Sequence, residues 1–102
     1  MPINPGGQGL SYNRQTISAS VPARSGVYAL CNAQQWIYVG ETGDIQARLI
    51  QHLNGDNACI TRSAPTVFQF DLVDANQRVA VQDRWIAQLG TMTPAGCNQR
   101  FG

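Results

Sequence analysis

Apolar and polar residues recur with two different periods along the chain, and these periods predict three strands and two helices. Residues 26–31 and 36–40 are apolar at successive positions and are joined by four residues, which predicts a hairpin covered on both faces. Residues 67–73 alternate, with Phe68, Phe70 and Leu72 on one side, as expected for a half-buried strand.

Helical spacing appears twice. Residues 44–53 begin at Asp44, a favourable N-cap, and end before an Asn-Gly pair. Residues 76–89 carry a second apolar stripe that ends at Gly90. The stripe of this second helix is Val79, Gln82, Trp85, Ile86 and Leu89. Gln82 lies in its middle, where a polar side chain needs a specific reason.

The remaining segments lack a clear period. Residues 1–8 are predicted to be a flexible terminus, residues 10–21 an irregular or edge-strand segment, and residues 54–65 a turn-rich loop. The order β-β-α-β-α predicts an α+β domain with a three-stranded, mainly antiparallel sheet and packed helices. We therefore expect an irregular segment over residues 1–23 and one domain over residues 24–102.

Length and composition are those of one globular domain. The chain has 102 residues, of which 43% are hydrophobic. Its apolar runs are all shorter than the ~20 residues needed to cross a bilayer, so no membrane association is expected. The first ten residues do not resemble a secretory signal, which favours the cytoplasm.

Three cysteines, Cys31, Cys59 and Cys97, are odd in number and widely spaced. This pattern argues against a disulfide framework and against a structural zinc site. Buried or incidental thiols are the expectation.

The charges are nearly balanced. Seven Arg and no Lys stand against six acidic residues, giving a net charge of +1. Such a chain has little overall attraction for nucleic acid, although a local groove holding Arg24, Arg48, Arg62 and Arg78 would be positive.

Two short motifs carry the chemical information. Gly26-Val27-Tyr28 and Tyr38-Val39-Gly40 lie on the two predicted hairpin strands, and Arg48 and His52 follow one helical turn apart. Each motif is a weak signal alone. Together they resemble the GIY-YIG nuclease family, with Val at the centre of both tripeptides. The family's fold agrees with the order predicted from the periods.

The resemblance implies a catalytic group made of Tyr28, Tyr38, Arg48 and His52. Tyr28 would be the base that acts on water, although a free phenol has a pKa of ~10 and needs nearby positive charge. Arg48 suits a phosphate because its planar fork holds two oxygens. His52 would either donate to the phosphate or accept from a tyrosine hydroxyl, and the sequence leaves both alternatives open.

Further substrate contacts are expected at Gly26 and Gly40, where a backbone without side chains permits close approach. The resemblance adds Arg78 and Asn98 to this substrate-binding group.

Gln82 departs from the family pattern, because the family has a Glu there that holds Mg²⁺ or Mn²⁺. An amide oxygen is a much weaker ligand for Mg²⁺ than a carboxylate. The neighbouring Asp83 points ~100° away on a helix and is not a ready substitute. Either Gln82 is a deliberate Glu→Gln change made to trap a complex, or the protein is a natural degenerate nuclease.

The sequence therefore predicts a metal-dependent DNA endonuclease of GIY-YIG type whose cleavage is weak or absent because of Gln82. The alternative is a non-catalytic nucleic-acid-binding or protein-interaction module that uses the same fold.

Overall fold

The computed structural model describes residues 9–91 and 97–98 and folds them into four strands and four helices. The strands are β1 (Leu10–Ser11), β2 (Gly26–Cys31), β3 (Trp36–Thr42) and β4 (Val67–Leu72). The helices are α1 (Arg14–Ser20), α2 (Ile45–Leu53), α3 (Ala58–Ser63) and α4 (Arg78–Leu89). None of these helices is long and apolar enough to cross a membrane. The terminus predicted over residues 1–8 lies outside the described residues.

The strands form one antiparallel sheet in the order β1-β4-β2-β3. The hairpin predicted from the two apolar runs is present, and all six residues of β2 are buried. The α+β prediction is confirmed. The sheet has four strands rather than three, because Leu10 and Ser11 pair with Phe68 and Val67 at the outer edge of β4.

The two faces of the sheet carry separate cores. Tyr28, Leu30 and Phe68 pack against side chains from α1, α2 and α3. Val27, Ala29 and Val39 point to the other face and pack against Trp85 and Ile86 of α4. Helices α2 and α4 therefore lie on opposite faces of the sheet.

Over residues 10–21, the sequence predicted an irregular or edge-strand segment, and the structure has an edge strand at Leu10–Ser11 but a helix, α1, where no helix was expected. The Asn13 side chain accepts a hydrogen bond from the Thr16 backbone N–H at 2.8 Å and caps the helix. Ile17 and Val21, four residues apart, are buried against the core. A seven-residue helix is too short to give a clear period in the sequence.

Helix α3 corrects the loop predicted over residues 54–65. The Asn57 side chain accepts from the N–H groups of Cys59 and Ile60, and Ile60 is buried. Ala64 ends the helix in the left-handed conformation, at a φ of 51°. A six-residue helix is held by this cap and one buried apolar residue, so it has no repeated apolar spacing that would reveal it in the sequence.

Two predicted faces differ from the structure. Gln69 alternates with Phe68 and Phe70, which would place it on the open side of a half-buried strand, but it is 2% exposed because α4 covers the second sheet face. Leu72 and Val79 were expected inside, yet they are 41% and 48% exposed, since both lie near the ends of their elements. The polar Gln82 is buried in the stripe, as predicted.

A disulfide joins Cys59 and Cys97, so the expectation of three unpaired thiols was wrong. The 38 residues between them gave no hint of the pairing, but the fold brings their Cα atoms to 5.8 Å, within the range that a disulfide spans. Cys31 is the buried free cysteine.

Candidate active site

Tyr28 and His52 form the centre of the site. The Tyr28 hydroxyl and His52 Nε2 are 2.7 Å apart, and both side chains are almost fully buried. The two tripeptides place Tyr28 on β2 and Tyr38 on β3, and both face α2. The Tyr38 ring packs edge-on against the His52 ring at 5.4 Å between centroids.

Asp56 completes this arrangement from the loop after α2. Its Oδ1 lies 2.8 Å from His52 Nδ1, and its Oδ2 lies 3.0 Å from an Arg48 terminal nitrogen. The same Arg48 nitrogen donates to Gln51 Oε1 at 2.6 Å. A guanidinium carries five N–H groups, so these bonds leave donors for a phosphate.

Sequence reasoning missed Asp56. The available signal was an acid four residues after a helix His, immediately past an Asn-Gly turn. Turn residues are usually solvated, which is why this acid did not stand out.

Burial dominates the protonation of the site. It raises the pKa of Tyr28 well above 10, with Tyr38 adding to the rise and Arg48 opposing it. It also raises the pKa of Tyr38, again against Arg48. For His52, burial lowers the pKa below 6.5, while the bond and charge of Asp56 oppose that change. The site at neutral pH therefore holds two neutral phenols and a neutral imidazole.

Gly40 and Gly26 are required by packing within the protein. A side chain on Gly40 would overlap the Tyr28 hydroxyl and ring. One on Gly26 would overlap the Asp71 carbonyl and the Ile45 side chain. The groups that approach these glycines closely are thus other residues of the protein. Their contact with a substrate stays a prediction.

Asn98 contacts the second tripeptide through its side-chain amide. Its Oδ1 accepts from the Val39 N–H at 2.7 Å, and its Nδ2 donates to the Val39 carbonyl at 2.8 Å. The amide thus pairs with edge strand β3 between Tyr38 and Gly40. These contacts favour a positioning role, and a substrate contact by Asn98 stays a prediction.

Arg78 is anchored at the end of the sheet. Its Nε donates to Glu41 at 2.7 Å, and a terminal nitrogen donates to the Ser25 hydroxyl at 3.0 Å. This ion pair fixes the first turn of α4 beside the end of β3. Binding of a substrate by Arg78 stays a prediction.

Gln82 lies one turn further along α4 and is 6% exposed. Among residues 9–91 and 97–98, no hydrogen bond joins it to the four predicted catalytic residues. The structure therefore brings together Tyr28, Tyr38, Arg48 and His52. The convergence of Gln82 with them stays a prediction.

Comparison with known proteins decides the family. The model of the GIY-YIG catalytic domain matches residues 24–82, which is more than half of the chain. The chain belongs to the GIY-YIG family. The matched GIY-YIG region begins before the first tripeptide and ends at Gln82, so it contains the whole tyrosine, arginine and histidine group.

Solved structures share the GIY-YIG fold. The N-terminal endonuclease domain of UvrC from Thermotoga maritima, bound to magnesium, is 21% identical, with a TM-score of 0.65. The match covers 76% of this chain and 89% of that one. A point mutant of the same domain, bound to its catalytic divalent cation, matches with the same TM-score, identity and share of this chain, and with 88% of its own. No curated protein matches the chain.

The residues present do not fit a hard divalent cation as they stand. Within the described residues, no three His, Cys, Asp or Glu side chains are close enough to hold a metal ion. Glu41 is paired with Arg78, and Asp56 is paired with Arg48 and His52. Position 82 offers a neutral amide where Mg²⁺ prefers a carboxylate.

Proposed function

We propose that this GIY-YIG domain is a DNA endonuclease of the divalent-metal-dependent type whose hydrolysis is impaired by Gln82. The observation that carries the proposal is the 2.7 Å contact between the Tyr28 hydroxyl and His52 Nε2 beside Arg48. A phosphodiester needs a deprotonated water, compensation of the phosphate charge, and a proton for the leaving oxygen.

Tyr28 and His52 supply the first requirement together. Because burial raises the pKa of Tyr28, a standing phenolate is not available at neutral pH. When the Tyr28 oxygen takes a proton from water, its own proton passes to His52 Nε2. The water oxygen then bonds to phosphorus, the P–O bond to the leaving group breaks, and the leaving oxygen is protonated by solvent. Of the two alternatives that the sequence left open for His52, the geometry favours acceptance from tyrosine.

Arg48 supplies the second requirement. Its guanidinium lies close enough to the two tyrosines to oppose the rise that burial causes in the pKa of both. A phosphate at the tyrosine hydroxyls would therefore lie within the field of a permanent positive charge. Removal of one such donor costs about 2.7–4 kcal/mol in rate.

Gln82 supports the impaired form of this activity. The magnesium-bound UvrC domain shares the fold, and a carboxylate at position 82 would give the hard oxygen ligand that Mg²⁺ or Mn²⁺ requires. A Gln cannot provide that charge. The same residue favours the second candidate, a non-catalytic module that binds nucleic acid or a protein partner through this surface.

The cytoplasmic location remains a prediction. The Cys59–Cys97 disulfide is a reason to test it, since disulfides persist mainly in oxidising compartments.

The test is metal-dependent nicking of plasmid and branched DNA by the chain itself, by Gln82→Glu, and by Gln82→Glu with Arg48→Ala. We expect little cleavage by the chain, clear cleavage by Gln82→Glu, and a loss of about 10²–10³-fold on adding Arg48→Ala. Gln88→Glu is the matched control, because it adds the same charge at an exposed site of α4 and should not create activity. Equal activity of the chain and Gln82→Glu, or none with either metal, would contradict the endonuclease proposal and leave the binding module.

A further inference from the structure

Asp56 is the acid that connects the basic residues of the site. One carboxylate oxygen lies against His52 Nδ1 and the other against Arg48, at 2.8 and 3.0 Å. Its side chain is 33% exposed, whereas that of His52 is fully buried. Asp56 therefore lies at the rim of the site and reaches inward to its centre.

The position of the carboxylate determines which imidazole nitrogen carries the proton. An ionised carboxylate only accepts hydrogen bonds, so His52 Nδ1 must be the donor. In a neutral imidazole the other nitrogen then has a free lone pair. Nε2 is the nitrogen that faces the Tyr28 hydroxyl, so the phenol donates to it. The opposite tautomer would place two hydrogens between Tyr28 and His52 unless the hydroxyl turned away.

The other groups around His52 do not fix this tautomer. Tyr28 and Tyr38 face it from β2 and β3 as neutral phenols, and Arg48 lies on its own helix as a cation. Tyr12, which bonds the Leu49 carbonyl, lies on the side of Asp56 and is neutral because burial raises its pKa. A phenol accommodates either tautomer by turning its O–H, and Arg48 offers no acceptor. Asp56 is the carboxylate that faces the ring.

We propose that Asp56 is a positioning residue, which holds His52 as the Nδ1–H tautomer so that Nε2 accepts the Tyr28 proton. The same carboxylate holds Arg48 beside the tyrosines. This inference rests on the proposed function for its catalytic meaning, whereas the tautomer itself is a property of the folded chain.

The chain has one histidine, which makes the test direct. Long-range ¹H–¹⁵N correlation spectra of the ¹⁵N-labelled full chain distinguish a protonated ring nitrogen from one with a lone pair. We expect the Nδ1–H form to predominate at neutral pH, and Asp56→Ala to lose that predominance and give substantial Nε2–H form. The titration of His52 should also shift to lower pH in Asp56→Ala, because burial and Arg48 would lower its pKa without opposition.

Two variants keep this test specific. Asp56→Glu retains a carboxylate and should restore the Nδ1–H form, and the exposed Asp74→Ala removes one negative charge without changing the tautomer. If Asp56→Ala does not fold by circular dichroism, Asp56→Leu takes its place, because it fills a similar space and offers no side-chain acceptor to Nδ1–H. An Nε2–H form in the unmodified chain, or an unchanged tautomer after loss of the carboxylate, would overturn the proposal.

The catalytic part is measured separately in the Gln82→Glu background. Adding Asp56→Ala should lower kcat by about 10²-fold or more, and Asp56→Glu should recover part of that loss. Full activity in a variant whose tautomer has changed would show that catalysis does not use proton transfer from Tyr28 to His52 Nε2. That result would refute the positioning role of Asp56. If Gln82→Glu itself is inactive, the endonuclease proposal fails and the tautomer spectra alone decide on Asp56.

Discussion

Tyr28, Tyr38, Arg48 and His52 were grouped from the sequence by the resemblance of their motifs to the GIY-YIG family, and their local spacing explains why the fold brings them together. Side chains alternate between the two faces of a strand, so two tyrosines on paired strands can lie on the same face of a hairpin. Residues four apart on a helix lie side by side. Asp56 could not be identified in this way. Its role depends on where the chain turns after α2, and the turn is set by Gly55 at a φ of 87°.

Gly40 shows why a motif glycine can be needed by a neighbouring side chain. A Cβ there would overlap the Tyr28 hydroxyl and ring, and the ring is packed in the core, with Tyr28 1% exposed. We therefore predict that Gly40→Ala displaces the Tyr28 hydroxyl from His52 and lowers the free energy of unfolding by about 1–3 kcal/mol. Urea denaturation measures the stability, and the His52 ring signals report the lost contact.

Gly43→Ala is the matched control for this prediction. A Cβ at Gly43 would meet only an Arg78 terminal nitrogen at 3.7 Å, an ordinary contact. It should leave stability and the His52 signals nearly unchanged. Equal stability of Gly40→Ala and Gly43→Ala would contradict the packing described for Tyr28.

The longer helices and strands could be predicted from the spacing of apolar residues, and the short ones could not. Strand β2 and helix α2 were predicted to within one residue, since their apolar residues span several turns or pleats. Helices α1 and α3 depend on the side-chain caps Asn13 and Asn57 and on one buried Ile each, signals that polar turns share. Strand β1 has two residues and exists only because β4 offers it an edge.

Edge strand β3 is held from outside by the segment at Cys97 and Asn98. The Cys97 N–H donates to the Ile37 carbonyl at 2.6 Å, and the Asn98 side chain pairs with Val39. The Cys59–Cys97 disulfide ties this segment to α3. The disulfide and these hydrogen bonds thus support the strand that carries Tyr38 and Gly40.

Reduction of the disulfide should destabilise the domain. Closing a loop of 38 residues corresponds to about 4 kcal/mol in the chain-entropy model. We predict that dithiothreitol lowers the urea midpoint of the chain, and that Cys59→Ser starts from the lower midpoint and does not respond to reductant. A midpoint that is the same with and without reductant would show that the disulfide does not contribute to stability.

The arrangement of the two helix layers is the feature that the sequence could not supply. The period of each helix gives its apolar face but not the face of the sheet on which it packs. Helix α2 covers the side of Tyr28 and Leu30, whereas α4 covers the side of Val27 and Ala29. The site residues on α2 and the polar residue on α4 are thus separated by the sheet.

The edge of the sheet is where these two sides can meet. The Arg78–Glu41 ion pair fixes the first turn of α4 at the end of β3, and Ile86 packs in the core that contains Val39. Gln82 lies between them along α4. Between Val39 and Glu41, Gly40 points to the other face of β3, where it contacts Tyr28 and has no side chain of its own. To meet the tyrosines, a carboxylate at position 82 would therefore have to reach past Gly40 at the edge of β3.

Crystals of the Gln82→Glu variant soaked in Mn²⁺ test this geometry directly, because anomalous scattering locates the ion. We predict one ion within about 2–2.5 Å of the new carboxylate, at the Gly40 edge and facing the Tyr28 and Tyr38 hydroxyls. Asp83→Asn in the same background should leave that ion in place. An ion bound away from the tyrosines, or no ion at the new carboxylate, would contradict the account of one phosphodiester site completed from α4.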